Sequence, residues 1–140
     1  MDMFRALDIS ASGLAAQRAR MDVVAENLAN SESGRTANGG AYRRKLVLLR
    51  PDDAFARALG QVQAARGVRV AAVRESDEAL RRVWQPDHPF AGPDGMVEMP
   101  NVNPVQEMVD MLASTRAYEA NATAFQATKS LGLKLLELLR

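Results

Sequence analysis

After Pro104 the chain carries no further proline, and it enters that stretch through a strong helix start. Asn103 offers a side-chain oxygen to the orphan N–H groups of a first turn. Pro104 at the first helical position needs no donor, and Gln106 follows at the third. A helix running from there to the end measures about 50 Å. Val105, Met108, Leu112, Thr115, Ala122, Lys129 and Leu136 fall on one side at three- and four-residue steps. Met111, Tyr118, Phe125 and Leu139 mark the adjoining row, and Gly132 is the one weak point. A 140-residue chain cannot bury such a stripe unless a second long element lies along it.

The N-terminal segment supplies that element. Leu7, Leu14, Met21 and Leu28 are spaced seven apart, with Phe4, Ala11, Val24 and Ala25 in adjoining positions. This is the period of an amphipathic or coiled-coil helix over residues 3–28. Gly13 interrupts it at a cost of about 1 kcal/mol relative to alanine. The pattern stops in the turn-forming cluster Asn30-Ser31-Glu32-Ser33-Gly34. Pairing covers one face of each helix only. Leu131 to Leu139 are leucine-rich almost all round, so the surplus reads as a subunit interface. Each leucine buried there contributes roughly 1.5–3 kcal/mol.

Between the helices the patterning changes. A small-polar loop spans residues 31–40, a strand is expected over 42–49, and Pro51-Asp52-Asp53 breaks it. The Ala-rich stretch 54–65 suits a short helix. Residues 68–73 read as a strand through the alternation of Val68 and Val70, and 80–84 as another. Pro93-Asp94-Gly95 is a turn, with glycine at the positive φ, and Met96 to Met99 are the returning strand of a small hairpin. The expected fold class is α+β: long N- and C-terminal helices packed as a coiled-coil-like pair, with a small β-rich insert. Residues 1–30 plus 101–140 form the helical assembly core, and 31–100 the insert domain.

Chemistry is hard to find. The single histidine, His88, sits between prolines in Pro86-Asp87-His88-Pro89 and reads as a turn residue rather than a catalytic base. With no cysteine, neither disulfides nor thiolate ligands exist, and the aspartates form no calcium-loop pattern. Gly39-Gly40 lacks the lysine of a phosphate loop. The net charge of +1 and the absence of a basic block argue against nucleic acid. Arg43-Arg44-Lys45, the longest basic run, reads as the solvated flank of a strand. Met96, Met99, Met108, Met111, Tyr118 and Trp84 are expected to pack. No catalytic, metal or cofactor site is expected. With charges at Asp2, Arg5 and Asp8 no cleavable signal is expected, and no apolar run is long enough to span a membrane.

Two stretches carry a resemblance. One is Ile9-Ser10-Ala11-Ser12-Gly13-Leu14 with Val24-Ala25-Glu26-Asn27-Leu28-Ala29-Asn30. The other runs from Pro100-Asn101-Val102-Asn103-Pro104 through Met108 to Ala117-Tyr118-Glu119-Ala120-Asn121. Together with Tyr42-Arg43-Arg44-Lys45, Gly67-Val68-Arg69-Val70 and His88-Pro89, they resemble the flagellar rod and hook axial family, and within it the FlgC-type rod proteins. Asn27, Asn30, Asn101, Asn103 and Pro104 are the motif residues.

The resemblance implies a structural subunit of the proximal rod, in the periplasm, exported without a cleaved signal through the flagellar type III apparatus. The implied partners are FlgB-, FlgF- and FlgG-like rod proteins, a FliE-like adaptor and copies of itself. The terminal helices would frame the export channel and transmit torque, after ordering on assembly. The expected interface is Phe4, Leu7, Leu14, Met21, Val24 and Leu28 on the first helix, and Val105, Met108, Met111, Leu112, Tyr118, Phe125, Leu136 and Leu139 on the second. Rival readings are a FlgB-like subunit, an amphipathic membrane translocator component, and a small enzyme built around His88.

Overall fold

The computed structural model describes residues 3–33, 39–52 and 67–138. Helix α1 spans Met3–Ala29 and helix α2 spans Pro104–Leu138. Between them lie β1 (Lys45–Pro51), β2 (Val68–Glu75), β3 (Arg81–Trp84) and β4 (Met96–Met99). The expected short helix over 54–65 falls outside the described residues, as does Leu139.

The two helices are the most extensively packed pair of elements. They run antiparallel: the thioether of Met3 lies over Gly132, Gly13 faces Asn121, Met21 meets Thr115, and Asn27 bonds Glu107. The glycines that weaken each helix on propensity are contact points. A Cβ on Gly13 would sit 2.9 Å from the Asn121 amide nitrogen, and one on Gly132 would collide with Met3. The seam accepts about 1 kcal/mol of helix propensity per glycine in exchange for close approach.

At one end of the seam both helices are capped. Asn103 Oδ1 accepts from the N–H of Val105 at 3.1 Å, as an N-cap should. At the end of α1, the N–H of Asn30 donates to the carbonyl of Glu26, and its side-chain amide donates to the same oxygen at 2.9 Å.

The strands form two antiparallel hairpins, β1–β2 and β3–β4. An isolated two-stranded hairpin is marginal in water, so each needs outside support. The first packs on α1, and Ser12 Oγ accepts the N–H of Val68 at 3.0 Å. Strand β1 begins three residues later than the apolar density of 42–49 suggests. Tyr42 turns inward, with only 6% of its surface exposed, and the N–H of Arg44 goes to the Asn101 side chain. At the far end, Pro51 lies inside the strand, at its last position, opposite Val68. In a two-stranded sheet each strand is an edge, where a missing donor is tolerated. A register shift between Leu48 and Leu49 leaves Ala71 as the extra residue of a bulge, which breaks the period-two pattern of β2. Gly95 carries the expected positive φ, 69°.

Candidate assembly interface

The apolar rows of the helices divide into inward and outward sets. On α1, Val24 is buried, while Leu7, Leu14, Met21 and Leu28 are half-buried. Their seven-residue spacing places them on the stripe of Met21, which touches Thr115 of α2. Phe4, near the open end, is 68% exposed. On α2, Met111 and Phe125 are half-buried. Tyr118 keeps about a third of its surface in solvent.

The row Val105, Met108, Val109 and Leu112 points away from α1, with exposures between 52% and 69%. The last turns expose Leu131, Leu133, Leu135, Leu136 and Leu138 in the same way. Two exposed apolar clusters on one helix make its outer surface a candidate interaction face. Leu131 to Leu138 lie in the leucine-rich stretch whose surplus reads as an interface from sequence, whereas exposed Val109 is outside both the named rows and that stretch.

At the other end of the seam the motif residues converge. Asn27 is 1% exposed and uses all of its amide. Its Oδ1 accepts from the Tyr42 hydroxyl at 2.9 Å and the N–H of Lys45 at 2.8 Å. Its Nδ2 donates to the carbonyl of Lys45 at 2.9 Å and to Glu107 Oε2 at 3.0 Å. Glu107, fully buried, receives Arg44 Nε on its other oxygen at 2.6 Å. Arg44 continues to Asp110 at 3.0 Å. Asn101 holds the Arg44 N–H at 2.7 Å and donates to the carbonyl of Glu78 at 3.0 Å.

This corrects the reading of Arg43-Arg44-Lys45 as a solvated flank. Arg44, just before β1, reaches α2, and Lys45 pairs with Glu26 of α1. A lone basic run gives no sign of this, because its acidic partners lie nineteen or more residues away in sequence. Buried charge is tolerated only when paired and hydrogen-bonded, and here every group is.

Burial pushes the Tyr42 hydroxyl up to about 12, helped by the negative charges of Glu26, Glu107 and Glu75. The folded-state value lies above the unfolded value of 10, so folding favours the neutral phenol. Its contribution is fully present below pH 10 and lost as pH rises through about 12. A Tyr118→Phe variant leaves Tyr42 as the single tyrosine. Its phenolate absorbance is expected to rise about two pH units later in the folded chain than in urea. A coincident titration would show that Tyr42 is not held in the cluster.

His88 behaves as a turn residue. Its Nδ1 accepts the N–H of Phe90 at 3.2 Å, and its own N–H donates to the carbonyl of Gln85. Among the described residues no group of His, Asp and Glu is arranged to hold a metal ion.

An antiparallel helix pair, capped by these asparagines and clasping a strand insert, is the architecture found here, and comparison supplies its class. Residues 7–32 match the family model described as flagella basal body rod protein. Residues 94–138 match that of the flagellar basal body rod FlgEFG protein C-terminal. The chain is 45% identical to the flagellar basal-body rod protein FlgC of Bacillus subtilis, with 99% of each chain covered. It is 41% identical to FlgC of Salmonella typhimurium, over 99% of this chain and 98% of the other. FlgC of Borreliella burgdorferi is 36% identical across 100% and 99% of the two chains. The chain belongs to the FlgC family of flagellar basal-body rod proteins.

Proposed function

We propose that this protein is a structural subunit of the flagellar basal-body rod, built to be one stave among many and not to catalyse a reaction. The observation that carries the reading is the outward apolar row of α2. It stays open although α1 and α2 already cover each other's inner faces. A surface that a monomer leaves in water, on a member of a rod-protein family, is what lateral assembly requires. Residues 1–30 plus 101–140 act as the assembly core and 31–100 as the insert carried on it.

Neighbours on the outward row are copies of the chain and other rod subunits of FlgB-, FlgF- and FlgG-like type, with a FliE-like adaptor at the base. Export through the flagellar type III apparatus to the periplasm fits a chain in which, among the described residues, no helix is long and apolar enough to cross a membrane.

Deleting the gene and complementing it with an epitope-tagged copy tests the reading. Deletion is expected to abolish swimming and rod completion, and the tag should appear in purified basal bodies of complemented cells. Normal swimming with complete basal bodies after deletion would overturn it.

A further inference from the structure

The apolar rows of α1 and α2 do not define how the helices align. Leu7, Leu14, Met21 and Leu28 repeat every seven residues, and so do Met111, Tyr118, Phe125 and Gly132. Sliding one helix by a heptad therefore returns the same row to the same row. Nor does burial discriminate strongly. The buried residues of α2 are Glu107, Ser114 and Gly132, none of them a large apolar side chain.

We infer that Asn27 with Glu107, and Gly13 with Asn121, are register keys, which select one alignment of the helix pair from those the heptad rows allow. Two keys engage together. Asn27 bonds Glu107, and Gly13 receives Asn121. Fourteen residues separate Gly13 from Asn27, and fourteen separate Glu107 from Asn121. Both keys therefore close in the same alignment, two heptads apart.

The lower key works through a third element. Asn27 grips both the N–H and the carbonyl of Lys45, which fixes the chain at Arg44 relative to α1. Arg44 then reaches across to Glu107 and Asp110 of α2. A slide of α2 strands the buried Glu107 carboxylate from Arg44 and Asn27 at once. It also carries the Asn121 amide off the bare backbone of Gly13 and onto a residue that bears a side chain. Polar groups buried at a single position are the best-attested way of fixing helix register. The inference concerns the fold alone and stands whatever the chain assembles into.

The chain has no cysteine, so engineered pairs report without background. Met21→Cys with Thr115→Cys reads the native alignment, in which these side chains meet at 3.6 Å. Met21→Cys with Ala122→Cys, or with Met108→Cys, reads alignments slid by one heptad. Under mild oxidation the otherwise wild-type chain is expected to form the 21–115 disulfide only. An Arg44→Met background leaves both helix sequences intact, and there the slid pairs should rise about tenfold.

A 21–115 disulfide unaccompanied by slid pairs in Arg44→Met overturns the inference. So does equal yield of all three pairs without that substitution. Should Arg44→Met lose its helical circular dichroism, Asn121→Ala decides. Slid pairs are expected to rise there too, and an unchanged 21–115 disulfide overturns the inference.

Discussion

Glu107→Ala is expected to lower the free energy of unfolding by about 3 kcal/mol, the lower end of the range for breaking a buried ion pair. Glu107 is fully buried and accepts from both Arg44 and Asn27. Truncating it leaves the guanidinium beside an empty space and deprives Asn27 Nδ2 of one of its two acceptors. The loss stays at the low end because Arg44 keeps Asp110 and has 21% of its side chain in water. Glu107→Met fills the space but abandons the same donors, so it should be nearly as damaging. Replacing Arg44 and Glu107 together by methionine removes both charges, and the pair should cost less than the two single changes added.

Urea unfolding followed by helical circular dichroism measures these differences, with an unchanged slope confirming that only stability moved. A loss below about 0.5 kcal/mol for Glu107→Ala, the range of an ordinary surface substitution, would show that the cluster does not hold the fold together.

What could be read from the sequence follows from the range of the interaction involved. The helix boundaries were legible because they are set within one turn. Asn103 caps its own N–H groups, and the heptad spacing from Leu7 to Leu28 defines a stripe without help from elsewhere. The β3–β4 hairpin was legible for the same reason, through the glycine at Gly95.

The start of β1 was misplaced because Tyr42 has the apolar character of a strand residue, yet its hydroxyl is claimed by Asn27. Nothing within a local window distinguishes the two fates. Arg44 was misread on similar grounds, since Glu107 lies 63 residues away. The two helix glycines looked like defects because propensity is a property of one helix. Close approach is a property of two.

The division of the apolar rows was only half accessible. Two adjacent rows on α2 are both largely apolar, and over their first turns sequence alone gives no reason for Met111 to turn toward α1 and Met108 away. The reason is Glu107. It must point at Asn27, and at about 100° per residue this fixes the rotation of α2. Ser114 and Gly132 then share the inward face. Val105, Met108, Val109 and Leu112 are left on the outside. A buried carboxylate thus decides which apolar side chains of α2 stay exposed.

That assignment makes Met108→Glu with Leu112→Glu a separation-of-function variant. Both side chains are more than half exposed, so the monomer's stability should change by less than about 0.5 kcal/mol. In the proposed rod each would be buried against another subunit, losing roughly 1.5–3 kcal/mol of apolar burial and placing an unpaired carboxylate in the interface. Repeated at every subunit of the assembly, this is expected to abolish incorporation into basal bodies and swimming. Val24→Glu, by contrast, places a charge in a buried site and should unfold the monomer itself.

The measurement pairs thermal unfolding of the purified variants with complementation of a deletion strain. If Met108→Glu with Leu112→Glu swims as well as wild type and its protein enters basal bodies, the outward row of α2 is not the assembly face. The exposed leucines from Leu131 to Leu138 would then be the surface to test. If the variant instead loses its fold, the row is packed within the subunit, and the rotation of α2 deduced from Glu107 is wrong.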